Sequence, residues 1–227
     1  MGQLIAAAAA FVGTHFLLSH PLRAVLVARI GERGFLLLYS AVAIGTLWWL
    51  AAAFRAAPDG SPWWPVGDGL WAAATIVMLV ASVLLIGSLI GNPALPNPGR
   101  TIAAPAAARG VFAVTRHPMM WAFALWAGSH LLVMPTPANA VLTGAIAVLA
   151  LVGAALQDRK KAQLQPAVWP AWTARTSFLP FAAIVAGRAR LGGFRAHDWA
   201  GGIVLWLAAT WAHIPLAGWA AGVWRWV

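Results

Sequence analysis

The chain has 227 residues, of which 62% are apolar and only 9% are charged. Soluble domains contain about 45–50% apolar and about 25% charged residues. A water-soluble fold could not cover its surface with so few polar side chains, and disorder is excluded because disordered chains are poor in apolar residues. The composition predicts an all-α, polytopic membrane protein with a single domain over residues 1–227.

Six apolar stretches are long enough to cross a bilayer as helices, which takes about 20 residues each. They cover residues 4–26, 35–54, 70–90, 117–134, 138–156 and 200–224. The apolar segment 177–187 is too short to span, so we expect it to lie at the membrane interface or to re-enter. The Pro-rich segment 91–108 is predicted to be a linker or a surface loop.

The loop charges predict the orientation of the spans. Lys and Arg outnumber Asp and Glu by 15 to 5. The loops after spans one, three and five are basic, whereas the loops after spans two and four carry net charges of −1 and 0. Basic loops stay on the cytoplasmic side, so both termini are predicted to lie outside. This distribution explains the positive charge without a nucleic-acid partner.

Histidines are the main polar residues within the predicted spans. They include His15, His130 and His213 at mid-depth, and His117 next to Arg116 at the inner end of span four. No carboxylate lies at mid-membrane, and the absence of cysteine excludes thiolate ligands. Polar residues in a membrane are costly and therefore suggest function. Imidazoles without carboxylates suit haem iron or another borderline metal, although hydrogen bonds between helices remain the alternative.

The depth of each histidine follows from a rise of about 1.5 Å per residue. His130 and His213 both lie roughly 20 Å from the inner face, and His15 lies roughly 12 Å from it. His117 is too far from His130 along the same helix to share a small site with it. Trp126 precedes His130 by four residues and therefore shares its face, where it walls a pocket or packs in the core.

Several short motifs follow one another in a recognisable order. They are Thr14-His15, Arg116-His117-Pro118, Ser129-His130, Asp158-Arg159-Lys160, Arg175-Thr176-Ser177-Phe178-Leu179-Pro180-Phe181 and Ala212-His213. Their order and spacing resemble the NnrU family of bacterial membrane proteins, and the related zeta-carotene isomerases of plastids and cyanobacteria. The resemblance covers nearly the whole chain. It implies a multi-pass protein of the bacterial inner membrane, in which the loop charges predict periplasmic termini.

The resemblance also implies haem b with two axial histidines. Carried over to this chain, the iron ligands are His15 and His130, whereas the depth estimate pairs His130 with His213. We expect His213 to orient the haem without binding iron. The resemblance implies accessory roles near the cofactor for His117, Arg116, Asp158 and Arg159, and the spacing adds Trp126 beside His130. The family context implies redox or nitric oxide chemistry in denitrification, with a redox protein, a nitric oxide reductase or a hydrophobic substrate as partner.

Three other functions stay open from the sequence. The first is a haem-dependent carotenoid isomerase. The second is a methyltransferase, because Arg116-His117-Pro118 followed by Phe178-Leu179-Pro180-Phe181 also resembles isoprenylcysteine-type enzymes that use S-adenosylmethionine. The third is an assembly factor whose histidines only join helices. If the chain is an enzyme, we expect a haem-dependent isomerase or a redox enzyme.

Overall fold

The computed structural model describes residues 1–58, 60–95 and 107–227, and every regular element within these ranges is helical. The elements are α1 (Gly2–Ser19), α2 (Arg23–Arg55), α3 (Asp68–Gly87), α4 (Val111–Val114), α5 (Pro118–Val133), α6 (Pro137–Leu164), α7 (Trp169–Arg175), α8 (Ala182–Val185), α9 (Ala196–Ala217) and a 3₁₀ helix (Gly222–Arg225). The predicted all-α class is confirmed. Of the predicted linker, residues 96–106 lie outside the described ranges.

Five helices, α1, α2, α3, α6 and α9, are long and apolar enough to cross a membrane. The remaining predicted span, residues 117–134, corresponds to α5, which has 16 residues and is therefore about 24 Å long. Large apolar side chains are exposed along the long helices, as at Leu37, Ile44 and Trp48. Such surfaces are stable in lipid and not in water. The chain is a multi-pass, helical membrane protein.

The first predicted span is interrupted, which corrects its inner boundary. The α1 helix ends at Ser19 and α2 begins at Arg23, so His20 lies in the connection and not within a span. Burial and the nearby Lys160 ammonium lower the pKa of the His20 imidazole. The α2 helix then bends at Gly31, whose φ of 72° and ψ of 169° are not helical. Glycine adopts this positive φ without the strain that a side chain would add.

The C-terminal boundaries also differ from the prediction. The α9 helix ends at Ala217, so residues 218–224 of the predicted last span form a turn and the start of the 3₁₀ helix. The segment 177–187 contains only the single turn α8, and Phe181 N–H donates to the Val114 carbonyl at 2.7 Å. This segment is too short to span, as expected, and it packs over the connection between α4 and α5.

The long helices pack in the order α2–α1–α6–α5–α3–α9. One buried cluster joins α1, α2 and α6 through small and aliphatic side chains, including Leu4, Leu50 and Ala138. A second cluster joins α3 to the segments around α4 and α7, including Leu84 and Trp172. Close packing of small residues is typical of helices in membranes. The α5 helix therefore lies between α6 and α3, in the middle of the bundle.

Both chain ends lie at one end of the bundle. Leu4 shares a buried cluster with Ala138 at the start of α6, and the end of α9 lies near the same level. At the opposite end, Lys160 Nζ donates to the Ser19 carbonyl at 3.5 Å, and Lys161 donates to the Pro93 carbonyl at 3.2 Å. The basic loops are thus grouped at the end away from the termini. The side of the membrane that each end faces stays a prediction.

Candidate functional site

Three histidines within the long bundle, His15, His130 and His213, share one local arrangement. In each, the ring Nδ1 lies within hydrogen-bond distance of the carbonyl oxygen four residues earlier. These acceptors are Phe11, Trp126 and Ala209, at 2.6, 2.8 and 2.8 Å respectively. A carbonyl only accepts, so we assign the proton to Nδ1 and a free lone pair to Nε2. No described residue bonds to these three Nε2 atoms, which are therefore free to bind a ligand.

The structure brings His130 and His213 together. Their ring centroids lie 6.0 Å apart with an angle of 34° between the ring planes. The two residues come from α5 and α9, which both pack on α3. The expectation that they lie at similar depth is confirmed. Trp126 stacks on His130 at 4.1 Å, so it shares the face of that histidine as predicted.

His15 lies elsewhere in the bundle. Its ring packs edge-on against Phe11 at 4.5 Å and against Tyr39 of α2 at 5.4 Å. The next residue, Phe16, faces Gly153 of α6, where an added Cβ would lie 3.8 Å from the Phe16 ring.

His130 of α5 lies level with Asn139 of α6, because the Asn139 side-chain amide donates to the His130 carbonyl at 3.0 Å. Asn139 and Gly153 are 14 residues apart. At about 1.5 Å per residue, His15 and His130 are separated by roughly 20 Å along the bundle. The structure does not bring these two histidines together.

A second polar cluster forms where α5 begins. The Asp158 carboxylate accepts from Arg116 Nε at 2.9 Å through each oxygen, and also from Arg116 Nη2. His117 Nε2 lies 2.8 Å from Asp158 Oδ1. Arg159 follows on α6 but is exposed and forms no ion pair with any described residue. Of the predicted accessory residues, Arg116, His117 and Asp158 therefore meet here, and Arg159 does not join them.

The segment after α7 closes this cluster. Thr115 Oγ1 and Trp121 Nε1 both donate to the Phe178 carbonyl, at 2.7 and 2.9 Å. The Arg116 backbone N–H donates to the Ser177 carbonyl at 2.8 Å. These bonds hold residues 177 and 178 over the first turn of α5. They also place the Phe178 ring beside Arg116 and His117.

His117 is enclosed by this arrangement and is only 2% exposed. The Phe178 ring lies 5.6 Å from it and the Trp169 ring lies 6.4 Å from it. Its Nδ1 is buried and has no hydrogen-bond partner among the described residues. Because Asp158 already neutralises Arg116, the cluster acts as an internal clamp between α5 and α6.

Sequence reasoning missed several residues that hold these sites. Asn139 donates to the carbonyls of His130 and Met134, at 3.0 and 2.7 Å, and thereby satisfies the end of α5. Lys161 is buried, and its ammonium donates to carbonyls of the 93–95 segment. An Asn in the first turn of a helix is a common capping residue. The position of Asn139 in the sequence therefore predicts a cap on α6, and does not predict that its side chain bonds to the end of α5.

No group of three or more His, Cys, Asp or Glu residues that could hold a metal ion is present in residues 1–58, 60–95 and 107–227. Neither the comparison with curated proteins nor the comparison with solved structures gave a match. The NnrU family, described as NnrU protein, matches residues 3–221, which is nearly the whole chain. The chain belongs to the NnrU family.

Proposed function

We propose that this protein binds haem b between His130 and His213 and acts in redox or nitric oxide chemistry. The observation that carries the proposal is the pairing of these two imidazoles, each with Nδ1 held by a carbonyl and Nε2 free. Metal–imidazole bonds are about 2 Å long, so two imidazoles that bind one ion from opposite sides have ring centroids about 6 Å apart. The observed 6.0 Å fits that distance.

The donor set favours haem over a free metal ion. Structural zinc takes four protein ligands and catalytic zinc takes three. The pair offers two imidazoles, and the described part of the chain has no cluster of three ligating residues. Haem would bring nitrogen ligands of its own, so His130 and His213 would suffice as the ligands from the protein. The chain has no cysteine, which leaves a non-covalent b-type haem.

The surrounding residues prepare the pair for this role. The carbonyls of Trp126 and Ala209 fix the tautomer and orientation of the two rings, which raises the basicity of each free nitrogen. The Trp126 ring stacks on His130 and supports it. Asn139 holds the end of α5 and so fixes the height of His130. Haem held by these residues would supply one-electron transfer and an iron that binds nitric oxide.

The cellular setting is part of the proposal. The basic loops lie at the end of the bundle away from both termini, which supports a cytoplasmic position for those loops. We therefore propose a bacterial inner-membrane protein with periplasmic termini. Its partner would be a redox protein or a nitric oxide reductase. Family membership supports this setting. Binding of nitric oxide to the reduced protein would distinguish a function in nitric oxide chemistry from carotenoid isomerisation.

The test is the absorption spectrum of the purified protein and of three alanine variants. We expect a Soret band, a b-type pyridine hemochrome and a low-spin spectrum. His130→Ala and His213→Ala should each lose the low-spin spectrum and most of the haem. His15→Ala removes an imidazole with the same local hydrogen bond, so it is the matched control and should retain both.

Three results would overturn parts of the proposal. If His15→Ala loses the low-spin spectrum and His213→Ala keeps it, the ligand pair is His15 and His130, as the family resemblance implies. A protein that stays colourless after haem addition would refute the haem assignment itself. Conversion of tri-cis carotene by the haem-loaded protein would show that the protein is a carotenoid isomerase.

A further inference from the structure

A basic cavity lies at the end of the bundle opposite the chain termini. Its volume is about 660 Å³, and it is lined by the 107–109 segment, the end of α7 and the 187–193 segment. Arg109, Arg175, Arg188 and Arg190 line it, and none of the described lining residues is acidic. The cavity is distant from the histidine pair, because His213 lies 17 residues, or about 26 Å, beyond the start of α9 at Ala196.

The acidic residues of the chain are engaged elsewhere. The sequence contains five acids, and four of them form ion pairs in the structure. These pairs are Arg23–Glu32, Arg225–Asp68, Arg116–Asp158 and Arg195–Asp198. The fifth, Asp59, is outside the described residues and belongs to the connection between α2 and α3. Among the described residues, no carboxylate is therefore left to neutralise Arg109, Arg188 and Arg190.

The chain fixes two of these arginines in place. Arg188 Nη1 donates to the carbonyls at the end of α7, including Thr173 at 3.2 Å and Thr176 at 2.9 Å. Its Nη2 and Nε make no hydrogen bond with a described residue, so they remain available to an anion. The Arg109 side chain lies over Gly193, where an added Cβ would come within 3.1 Å of Arg109 Cβ. Gly193 thus allows Arg109 to approach the opposite wall.

Large apolar side chains are exposed in the segment that lines the cavity and in the residues that precede it along the chain. Leu191, which lines it, is 59% exposed. Val185 is 88% exposed and Phe181 is 50% exposed in the adjoining α8 segment. A soluble surface would bury such residues, whereas at a bilayer interface they enter the acyl region beside the charged headgroups. Basic groups beside inserted apolar groups are the arrangement that binds anionic lipids.

We propose that this cavity binds the phosphate headgroup of an anionic phospholipid, with Arg109, Arg188 and Arg190 contacting the phosphate. The guanidinium groups bind phosphate oxygens through paired hydrogen bonds. The apolar side chains of Leu191 and Val185 pack on the lipid chains. A phosphate ion alone would fill only part of the cavity, whose size suits a larger ligand.

Native mass spectrometry of the full-length, detergent-solubilised protein tests the proposal. The protein is titrated with phosphatidylglycerol, with phosphatidylcholine and with glycerol 3-phosphate. We expect phosphatidylglycerol to bind at least about 10-fold more tightly than the other two. The double variant Arg109→Gln/Arg190→Gln should weaken phosphatidylglycerol binding about 30-fold, since each surface cation contributes about one factor of five. Arg188 is left unchanged because it caps α7.

The matched control is Arg29→Gln/Arg33→Gln, which removes two exposed arginines from the same end of the bundle. It should change the affinity less than about twofold, although it lowers the net charge equally. Equal binding of phosphatidylcholine, or an equal loss in the control, would refute a headgroup site. Equal binding of glycerol 3-phosphate would assign the cavity to a soluble phosphoester instead. Haem content should be unchanged in both variants, which separates this result from the histidine assignment.

Discussion

A methyl group added at Gly202 should force α9 away from α3. An ideal Cβ at this position would lie 2.7 Å from Val83 Cα and 2.9 Å from Val83 N. Carbon atoms in contact normally lie about 3.5–4.0 Å apart, so the helices must separate by roughly 1 Å. The obstacle is backbone and cannot rotate away. We therefore expect Gly202→Ala to destabilise the protein.

The magnitude follows from two opposing effects. Overpacking a closely packed interface costs about 1–3 kcal/mol. Alanine recovers about 0.5–1 kcal/mol relative to glycine within a helix. The net loss is about 1–2 kcal/mol, which lowers the apparent Tm by about 2–8 °C for a chain of this size. Because α9 carries His213, the same displacement should also reduce the haem that the protein retains.

The assay is thermal unfolding in one detergent, followed by circular dichroism. Gly144→Ala in α6 is the matched control, because a Cβ at Gly144 would have no heavy atom within 4 Å. The control should gain about 0.5–1 kcal/mol from helix propensity alone. The two substitutions are chemically identical, and their expected effects differ in sign. A Gly202→Ala protein as stable as the Gly144→Ala protein would refute the close approach of α3 and α9.

Three further outcomes are expected. Asp158→Asn should cost about 2–4 kcal/mol of unfolding free energy, measured by the same assay, because it leaves the half-buried Arg116 guanidinium without its carboxylate. Thr136→Ala should cost about 1 kcal/mol, because the Thr136 hydroxyl caps the first turn of α6. Reporter fusions at Val227 and within residues 188–195 should report opposite sides of the membrane, and one shared side would refute the predicted orientation.

The sequence predicts the fold class and the spans well because both depend on composition along the chain. Apolar stretches of membrane length are visible in any window, and the long helices contain most of each predicted span. The interruption between α1 and α2 was missed because residues 20–22 contain no Asp, Glu, Lys or Arg, although Pro21 is a residue that commonly ends or kinks a helix. The bend at Gly31 was missed as well, since glycine is common in membrane helices and rarely marks a break.

The cluster around Asp158 was anticipated in part. Arg116 and His117 are adjacent in sequence, and the loop charges place them at the same end of the bundle as Asp158. The contribution of Phe178 depends on how the chain returns after α7, which spacing does not determine. The carbonyls of Ser177 and Phe178 bind the start of α5 through backbone atoms, and backbone contacts leave no pattern in residue identity.

The histidine pair shows which property of a membrane helix a sequence encodes. Depth is a property of one helix, so counting residues placed His130 and His213 at one level. Which histidine lies beside His130 depends on the order of the helices around the bundle, in which α6 separates α1 from α5. The local hydrogen bond cannot select among the three histidines, because His15 has it too. Among the described residues, only His130 and His213 have a second imidazole within reach, so comparing His15→Ala with His213→Ala tests the helix order and the ligand assignment together.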